Sequence, residues 1–216
     1  MLTDLQIELI DFLESHTPKL RLEYQVPLLG EGGTCSLFGE LDPRPFTLPA
    51  VLSEKELEFV AKAQTIVDWV ERKTDVDWFG IYLLRNPQSE DAVLTKLAYL
   101  GASSRAEFPV NESFAQISNN SKVALTGEER VVNNVQEFVA QGGEYYTCDP
   151  KVKSELCWPI LSTYEDNKNS TESNTDTEIL GIIDAECFET DCFTPEVQEI
   201  FNTVCRVLST LLSSKQ

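Results

Sequence analysis

The apolar residues of the chain recur with two periods, which divide it into helices and strands. Helical spacing predicts helices over residues 4–15, from Ser53 to about Lys73, and from Pro195 onward. Ser53 and Glu56 have the spacing of a capping box, which supports a helix start at that point. The last helix carries an apolar stripe wide enough to pack on the helix from Ser53 and on a second subunit. We therefore expect a homodimer formed through the long helices.

Strand-forming residues dominate the middle of the chain. Five segments read as strands: 77–84, 93–100, 129–133, 157–163 and 178–186. A short helix is predicted at about 119–126, and the polar stretch 164–178 is expected to be a mobile hairpin loop. This order predicts an α+β fold: an antiparallel sheet of five to six strands, with the N- and C-terminal helices packed on one face. Loops cover the other face, where a ligand would bind.

A change in composition marks a boundary near residue 53. Prolines and glycines are frequent between Pro27 and Pro49, where no clear periodicity is present. We expect residues 1–52 to form an N-terminal helix and an irregular extension. The main domain is predicted over residues 53–216, and the apolar residues of the extension predict that it packs against that domain.

The charge of the chain excludes several classes of partner. There are 36 acidic and 17 basic residues, which give a net charge of −19. Such a surface repels nucleic acids and anionic membranes. No run of about 18 apolar residues is present, and no basic flank of a signal peptide precedes the first apolar residues. We therefore expect a cytoplasmic protein.

Histidines and cysteines give no sign of a metal site. The chain has one histidine, His16, and six cysteines without a CxxC pair. A zinc site needs clustered imidazole or thiolate ligands, so none is predicted. No cofactor is predicted either.

Several segments together resemble a GAF domain, a small-ligand sensor fold related to PAS domains. They are the helix from Ser53, DWFGIYLL, KVALTGEERVVNNV, and the pair WPI and ILGIIDAE before the last helix. The resemblance covers roughly residues 53–212. It implies the sheet described above, with a ligand pocket on the face away from the long helices.

A finer resemblance is to the free methionine-(R)-sulfoxide reductases within the GAF proteins. The matching positions are Trp78 and Tyr82 in DWFGIY, Cys148 and Glu155 in CDPKVKSE, and Asp184 and Glu186 in IIDAE. In that family the matching cysteine attacks the sulfoxide sulfur, while the carboxylates and aromatic residues hold the free amino acid. The family usually has Asp at the position of Glu186. Two further cysteines that regenerate the family's nucleophile are missing from residues 107–127.

The residue types at these positions support a ligand site on their own. On strands, Trp78, Gly80 and Tyr82 share one face, as do Asp184 and Glu186. We expect Gly80 to leave a slot between the two rings in which a ligand lies close to the backbone. Three converging carboxylates need a cation, such as a ligand ammonium group. A Mg²⁺ or Ca²⁺ ion is the alternative, although we favour the ammonium group.

Cys148 follows the stretch QGGEYYT, which is typical of a mobile lid. A sulfenic acid formed on it would need a second thiol, from Cys157, from Cys35 or from an external reductant. Two functions remain open. The first is binding of a small molecule, a free amino acid or a derivative such as methionine sulfoxide. The second is reduction of free methionine-(R)-sulfoxide with Cys148 as the nucleophile. The missing cysteines favour binding, and the acidic pocket disfavours cyclic nucleotides.

Overall fold

A six-stranded antiparallel sheet is the centre of the molecule. The computed structural model describes residues 2–30, 39–145, 149–162 and 177–213. The strands are β1 (Glu23–Tyr24), β2 (Phe46–Thr47), β3 (Trp78–Arg85), β4 (Val93–Leu100), β5 (Glu107–Pro109), β6 (Arg130–Val132), β7 (Ser154–Leu161) and β8 (Ile179–Cys187). The main sheet has the order β5-β4-β3-β8-β7-β6, and β1 pairs with β2 separately. The fold is α+β, as predicted from the sequence.

The helices lie on both faces of this sheet. They are α1 (Asp4–Ser15), α2 (Glu54–Lys73), α3 (Glu112–Ala115), α4 (Asn119–Thr126), α5 (Val135–Ala140) and α6 (Pro195–Ser213), with a 3₁₀ turn at Leu48–Ala50. Helices α2 and α6 cover one face, where Phe79 of β3 meets Phe201 of α6 at 5.5 Å between ring centroids. Helix α4 packs on β7 and β8 and covers part of the other face.

The capping box predicted for α2 is present. The Ser53 hydroxyl accepts from the backbone N–H of Glu56, and the Glu56 carboxylate accepts from the backbone N–H of Ser53. This pairing satisfies two donors that a helix start otherwise leaves without partners. It fixes the first turn of the long helix that supports β3 and β4.

Helix α1 packs on the outer side of α2 and α6. Its Glu8 carboxylate lies 2.6 Å from the Lys73 ammonium nitrogen and accepts from the indole of Trp69 at 3.3 Å. At the end of α1, His16 Nε2 lies 2.9 Å from Asp68 Oδ2. The first helix is therefore held to the main domain by polar contacts as well as by apolar packing.

The described parts of the irregular extension form an antiparallel arm. Strands β1 and β2 pair, and Pro27 forms an isolated bridge with Leu41 further along the arm. Tyr24 of the arm and Leu48 at its end are buried in the hydrophobic core. The arm thus packs against the main domain, as its apolar residues predicted.

Some elements differ from those expected from the sequence. Strand β7 begins at Ser154 rather than at residue 157, which places Glu155 on the strand. The short elements β1, β2, β5, α3 and α5 were not predicted, because two to six residues carry little periodic signal. The expected hairpin loop over 164–178 lies almost entirely outside the described residues. In the described ranges, no helix combines the length and the apolar character needed to cross a membrane.

Candidate functional site

Strand register brings the predicted carboxylates and aromatic residues to one face of the sheet. Trp78 of β3 lies opposite Glu186 of β8, and Gly80 lies opposite Asp184. On the next strand, Glu155 lies opposite Glu186 from the other side. Directly opposed residues of antiparallel strands point to the same face, so these side chains share a surface. This is the face away from α2 and α6.

A cavity of ≈ 270 Å³ opens above this surface. It is lined by Pro27, Gly39, Leu41, Asp77, Trp78, Tyr82, Ala102, Ser103, Ser104, Arg105, Phe108, Asp149, Asp184, Glu186 and Phe188. Four of the predicted site residues are in this set: Trp78, Tyr82, Asp184 and Glu186. Glu155 is buried beside them on β7 but is not part of the lining. The arm of the N-terminal extension supplies three of the lining residues.

Cys148 lies outside the described residues, as do Tyr146 and Thr147. The described residues on either side of it reach the site. Asp149 lines the cavity, and the Tyr145 hydroxyl is hydrogen-bonded to the Glu155 carboxylate. The expected lid over residues 141–147 is therefore described only as far as Tyr145.

Two asparagines of α4 hold the buried carboxylates. Asn120 Nδ2 donates to Asp184 Oδ2 at 2.9 Å, and Asn119 Nδ2 donates to Glu155 Oε2 at 2.9 Å. Both asparagines lie in the first turn of α4, behind its N-cap Ser118. Sequence reasoning missed them, because a polar SNNS run before a helix is typical of an exposed cap. The sequence feature that could have indicated them is the pair of successive amide side chains at a helix start.

One oxygen of Asp184 has no such support. Oδ1 is buried and has no hydrogen-bond partner among the residues that the structure describes. An acceptor buried without a donor costs free energy, which a hydrogen-bond donor placed beside it would recover. It belongs to a residue that lines the cavity.

Burial and mutual repulsion raise the pKa values of the three carboxyl groups. Burial is the main cause of the raised pKa of Asp184, and the charge of Glu155 adds to it. For Glu186, burial and then the charges of Asp184 and Glu155 raise the pKa well above its usual value. Burial also raises the pKa of Glu155, whereas its hydrogen bonds to Tyr145 and Asn119 lower it. The acidic groups thus hold protons more tightly than exposed carboxyl groups do.

The aromatic wall differs from the expected arrangement at Gly80. The slot above this glycine holds the Trp78 ring itself, which lies so close that a Cβ at position 80 would overlap it. The Trp78 indole is fixed there by donating from Nε1 to the Ala102 carbonyl at 3.0 Å. The expectation that a ligand fills this slot was wrong. The glycine instead lets the indole fold back over its own strand.

A buried lysine stands next to this wall and was not predicted. The Lys96 side chain is wholly buried, and its Nζ lies 5.6 Å from the Trp78 ring centroid. A β-bulge explains its direction. Ile81 pairs with Ala98 but Tyr82 pairs with Lys96, so Leu97 is an extra residue of β4. The bulge turns Lys96 to the pocket face, whereas strict alternation from Tyr99 would point it to the other face.

Cys157, one of the candidate second thiols, does not form a thiolate readily. Cys157 is buried opposite Asp184 on the pocket face, and burial with two nearby carboxylates raises its pKa well above the usual value. A thiol with a raised pKa is a poor nucleophile at neutral pH. Cys35 lies outside the described residues. Within the described ranges, no group of three or more His, Cys, Asp or Glu side chains is arranged to hold a metal ion.

Comparison with known proteins identifies the family. The GAF domain family matches residues 58–212, which is most of the chain. The chain belongs to the GAF domain family. The antiparallel sheet and the flanking long helices are thus those of a GAF fold, and the resemblance inferred from the sequence is confirmed.

Many solved structures resemble this GAF protein, among them two reductases and a further GAF domain. The type II free methionine-R-sulfoxide reductase from Thermoplasma acidophilum has a TM-score of 0.54 at 19% identity, over 73% of this chain and 94% of the other. The free methionine-R-sulfoxide reductase from Neisseria meningitidis, in complex with its substrate, has a TM-score of 0.51 at 15% identity, over 73% of this chain and 77% of the other. The GAF domain from the Acinetobacter phosphoenolpyruvate-protein phosphotransferase has a TM-score of 0.56 at 12% identity, over 99% of this chain and 96% of the other. At these identities the similarity is one of fold. No curated protein matches the chain.

Proposed function

We propose that this GAF domain binds a small molecule that carries an ammonium group, a free amino acid or a derivative such as methionine sulfoxide. Trp78 and Tyr82 form the apolar side of the site, Asp184 and Glu186 form its acidic side, and Glu155 is buried beside them. The observation that carries the proposal is the buried Asp184 Oδ1, which has no donor among the described residues and belongs to a cavity-lining side chain.

Charge and size both favour such a ligand. Asp184 and Glu155 are buried and Glu186 is half-buried. These three carboxylates repel one another, and a ligand ammonium group offsets this repulsion while donating hydrogen bonds. Drug-sized ligands occupy pockets of about 300–1,000 Å³. The volume of ≈ 270 Å³ therefore suits a molecule of amino-acid size better than a nucleotide.

Thermal denaturation with a ligand panel tests the proposal. The panel contains L-methionine, both epimers of L-methionine sulfoxide, and cyclic nucleotides as negative controls. A bound ligand stabilises the protein by about 2–3 kcal/mol at a hundredfold excess over Kd. The proposal predicts stabilisation by at least one of the amino acids and none by the nucleotides. Equal melting temperatures across the panel would count against it.

A second function, reduction of free methionine-(R)-sulfoxide, is favoured by one observation. Tyr145 and Asp149, which flank Cys148, both reach the site. In the proposed step the Cys148 sulfur attacks the sulfoxide sulfur, and the oxygen is transferred to give methionine and a cysteine sulfenic acid. Two equivalents of an external thiol then reduce the sulfenic acid and release water and a disulfide.

Turnover separates the two functions. With dithiothreitol as the reductant, a reductase would consume the R epimer and leave the S epimer. Cys148→Ser would abolish this activity while retaining ligand binding. Equal activity in the Ser variant would rule out Cys148 as the nucleophile.

We also propose a cytoplasmic protein, with residues 1–52 as an extension of the domain over 53–216, that forms a homodimer through its long helices. Helix α1 packs on α2 and α6, so it leaves less of their surface for a second subunit. Light scattering after gel filtration gives the mass of the full chain. About twice the chain mass of 24.3 kDa supports the dimer, and a single chain mass refutes it.

A further inference from the structure

We propose that Lys96 is a positioning residue that provides the internal counter-charge of the acidic site, keeping Asp184 and Glu186 ready for a cationic ligand. The inference rests on the proposed function, since it concerns the same acidic pocket. No resemblance or motif pointed to this lysine.

The Lys96 ammonium lies in a box of three aromatic rings. Its Nζ is 4.0 Å from the ring centroid of Tyr99, 5.0 Å from that of Tyr24 and 5.6 Å from that of Trp78. It also donates to the backbone oxygen of Ser104 at 2.9 Å and to its hydroxyl at 2.6 Å. The rings and the serine oxygens favour the charged form of the amine, whereas its burial lowers its pKa.

Within the described residues, no carboxylate lies within ion-pair distance of Lys96. Glu186 and Asp184, whose charges act on Lys96, belong to β8, which is separated from β4 by β3. Two strand spacings amount to about 10 Å, and at an effective dielectric constant of about 20 a unit charge at that distance still shifts a pKa by about one unit. The Trp78 ring lies beside both the lysine and the acids: it is 5.6 Å from Lys96 Nζ and lines the cavity with Asp184 and Glu186.

Stability alone does not account for this lysine. A buried charge is costly, and an apolar side chain of similar length would pack in the same place with less loss. The chain also carries a β-bulge that turns Lys96 toward the pocket. A bulge that re-aims one charged side chain beside a cavity is typical of a functional site.

Several charged or titratable groups surround Lys96, and their effects oppose one another. From the arm, Arg21 lowers the pKa of Lys96, and Tyr24 stacks on it as a neutral phenol. From β3 and β4, Tyr82 and Tyr99 are further phenols near it. From β8, Asp184 and Glu186 raise its pKa, while burial lowers it most. In return, Lys96 lowers the pKa values of Asp184 and Glu186.

Lys96→Met tests the assignment in the protein without ligand. The ¹³C carboxyl resonances of Asp184 and Glu186 are titrated by NMR in the wild type and in the variant. We expect both midpoints to move to higher pH in the variant, by on the order of one pH unit. Lys122→Met is the matched control, since it removes the same charge from an exposed position on α4. Equal midpoints in Lys96→Met and in the wild type would overturn the proposal.

A second measurement needs no substitution. The side-chain resonances of Lys96 in the wild type report its own protonation. The proposal requires the amine to be charged over the pH range in which the two carboxyl groups titrate. An amine that loses its proton below that range would overturn the proposal, even if Lys96→Met does not fold.

The ligand experiment separates this inference from the proposed function. Binding of L-methionine (R)-sulfoxide is measured between pH 5 and 9 in the wild type and in Lys96→Met. As the pH is lowered, the carboxyl groups gain protons and binding is lost, and we expect the midpoint of this loss to lie at higher pH in Lys96→Met. If the wild type binds none of the amines in the panel, the proposed function fails. The carboxyl and lysine titrations would still decide the role of Lys96.

Discussion

At the scale of single residues, the site has two kinds of group. Its carboxylates have only part of their hydrogen bonds made, and its Trp78 ring is held in a fixed position. Asn120 binds one oxygen of Asp184 and leaves the other buried without a donor among the described residues. The Trp78 indole is held by Ala102 and lies over Gly80. Rigid groups with one open acceptor recognise a ligand without a large loss of conformational entropy.

Asp184→Asn is expected to weaken ligand binding without loss of stability. The amide has nearly the same shape but cannot pair with an ammonium group, so affinity falls by about 10- to 100-fold, as for a lost charged hydrogen bond. The melting temperature stays the same or rises, because a repelled buried carboxyl group is removed. Calorimetry and thermal unfolding check the two expectations. A stable variant that retains wild-type affinity would show that Asp184 does not contact the ligand.

The raised pKa values predict a pH dependence of stability. In the folded state Asp184 and Glu186 keep protons that the unfolded chain releases above about pH 4. The folded state then binds more protons, so the free energy of unfolding falls as pH rises from about 4 toward the folded pKa values. Urea denaturation from pH 4 to 8 measures this slope. We expect a shallower slope in Asp184→Asn, and an identical slope would mean that Asp184 titrates normally.

Gly80→Ala is expected to displace the Trp78 ring. The added methyl group would overlap the indole, and overpacking of this kind costs about 1–3 kcal/mol in the free energy of unfolding. Tryptophan fluorescence reports the movement, and ligand affinity should fall with it. In the Gly80→Ala, Trp78→Phe double variant the smaller ring should recover part of the lost stability. If the single variant matches the wild type in fluorescence and stability, the ring does not occupy this position.

At the scale of elements, α4 positions the acidic side of the site. Its first turn carries Asn119 and Asn120, which bind Glu155 and Asp184. The Ser118 side chain begins the helix by accepting from the Ser121 N–H at 3.3 Å. A short helix of eight residues depends strongly on such a cap.

Ser118→Ala is therefore expected to lower both stability and ligand affinity. Loss of an N-cap costs about 1 kcal/mol, and a loosened first turn no longer holds the two asparagines in place. Ser53→Ala is the control, because it removes the cap of α2 on the other face of the sheet. Denaturation should show similar losses in the free energy of unfolding for the two variants, while only Ser118→Ala weakens ligand binding. Equal affinities would mean that α4 does not position the site.

The sequence was sufficient to predict elements with strong local signals. The capping box at Ser53 and the apolar runs of β3 and β8 were read correctly, and their alternation brought Trp78, Tyr82, Asp184 and Glu186 to common faces. Lys96 could not be predicted, because its direction depends on one extra residue in a strand pairing. Such a shift has no local signature, and a lysine in a strand is usually exposed.

At the scale of the whole molecule, the cavity belongs to two parts of the chain. Most of its lining comes from the region that matches the GAF family, but Pro27, Gly39 and Leu41 come from the N-terminal arm. The Tyr24 hydroxyl holds the arm in place by donating to the Lys96 carbonyl at 2.6 Å. Arg21 adds a second contact by donating to the Tyr99 carbonyl at 3.2 Å.

Tyr24→Phe is expected to loosen the arm. The change leaves a buried carbonyl without its donor, which costs about 1–3 kcal/mol in the free energy of unfolding. Ligand affinity should also fall, since Pro27 and Leu41 move with the arm. Glu23→Gln, on the exposed side of the same strand, should change neither quantity. Hydrogen exchange of the arm amides measures the loosening, and unchanged exchange together with unchanged affinity would show that the arm does not depend on Tyr24.

The central claim is that the acidic and aromatic cavity recognises an ammonium group. The most direct test is isothermal titration with two ligands that differ only in that group, L-methionine (R)-sulfoxide and its N-acetyl derivative. We expect measurable binding of the free amine, a loss of at least tenfold in affinity on acetylation, and the same weak affinity for both ligands in Asp184→Asn. Equal affinity of the wild type for the two ligands would contradict it.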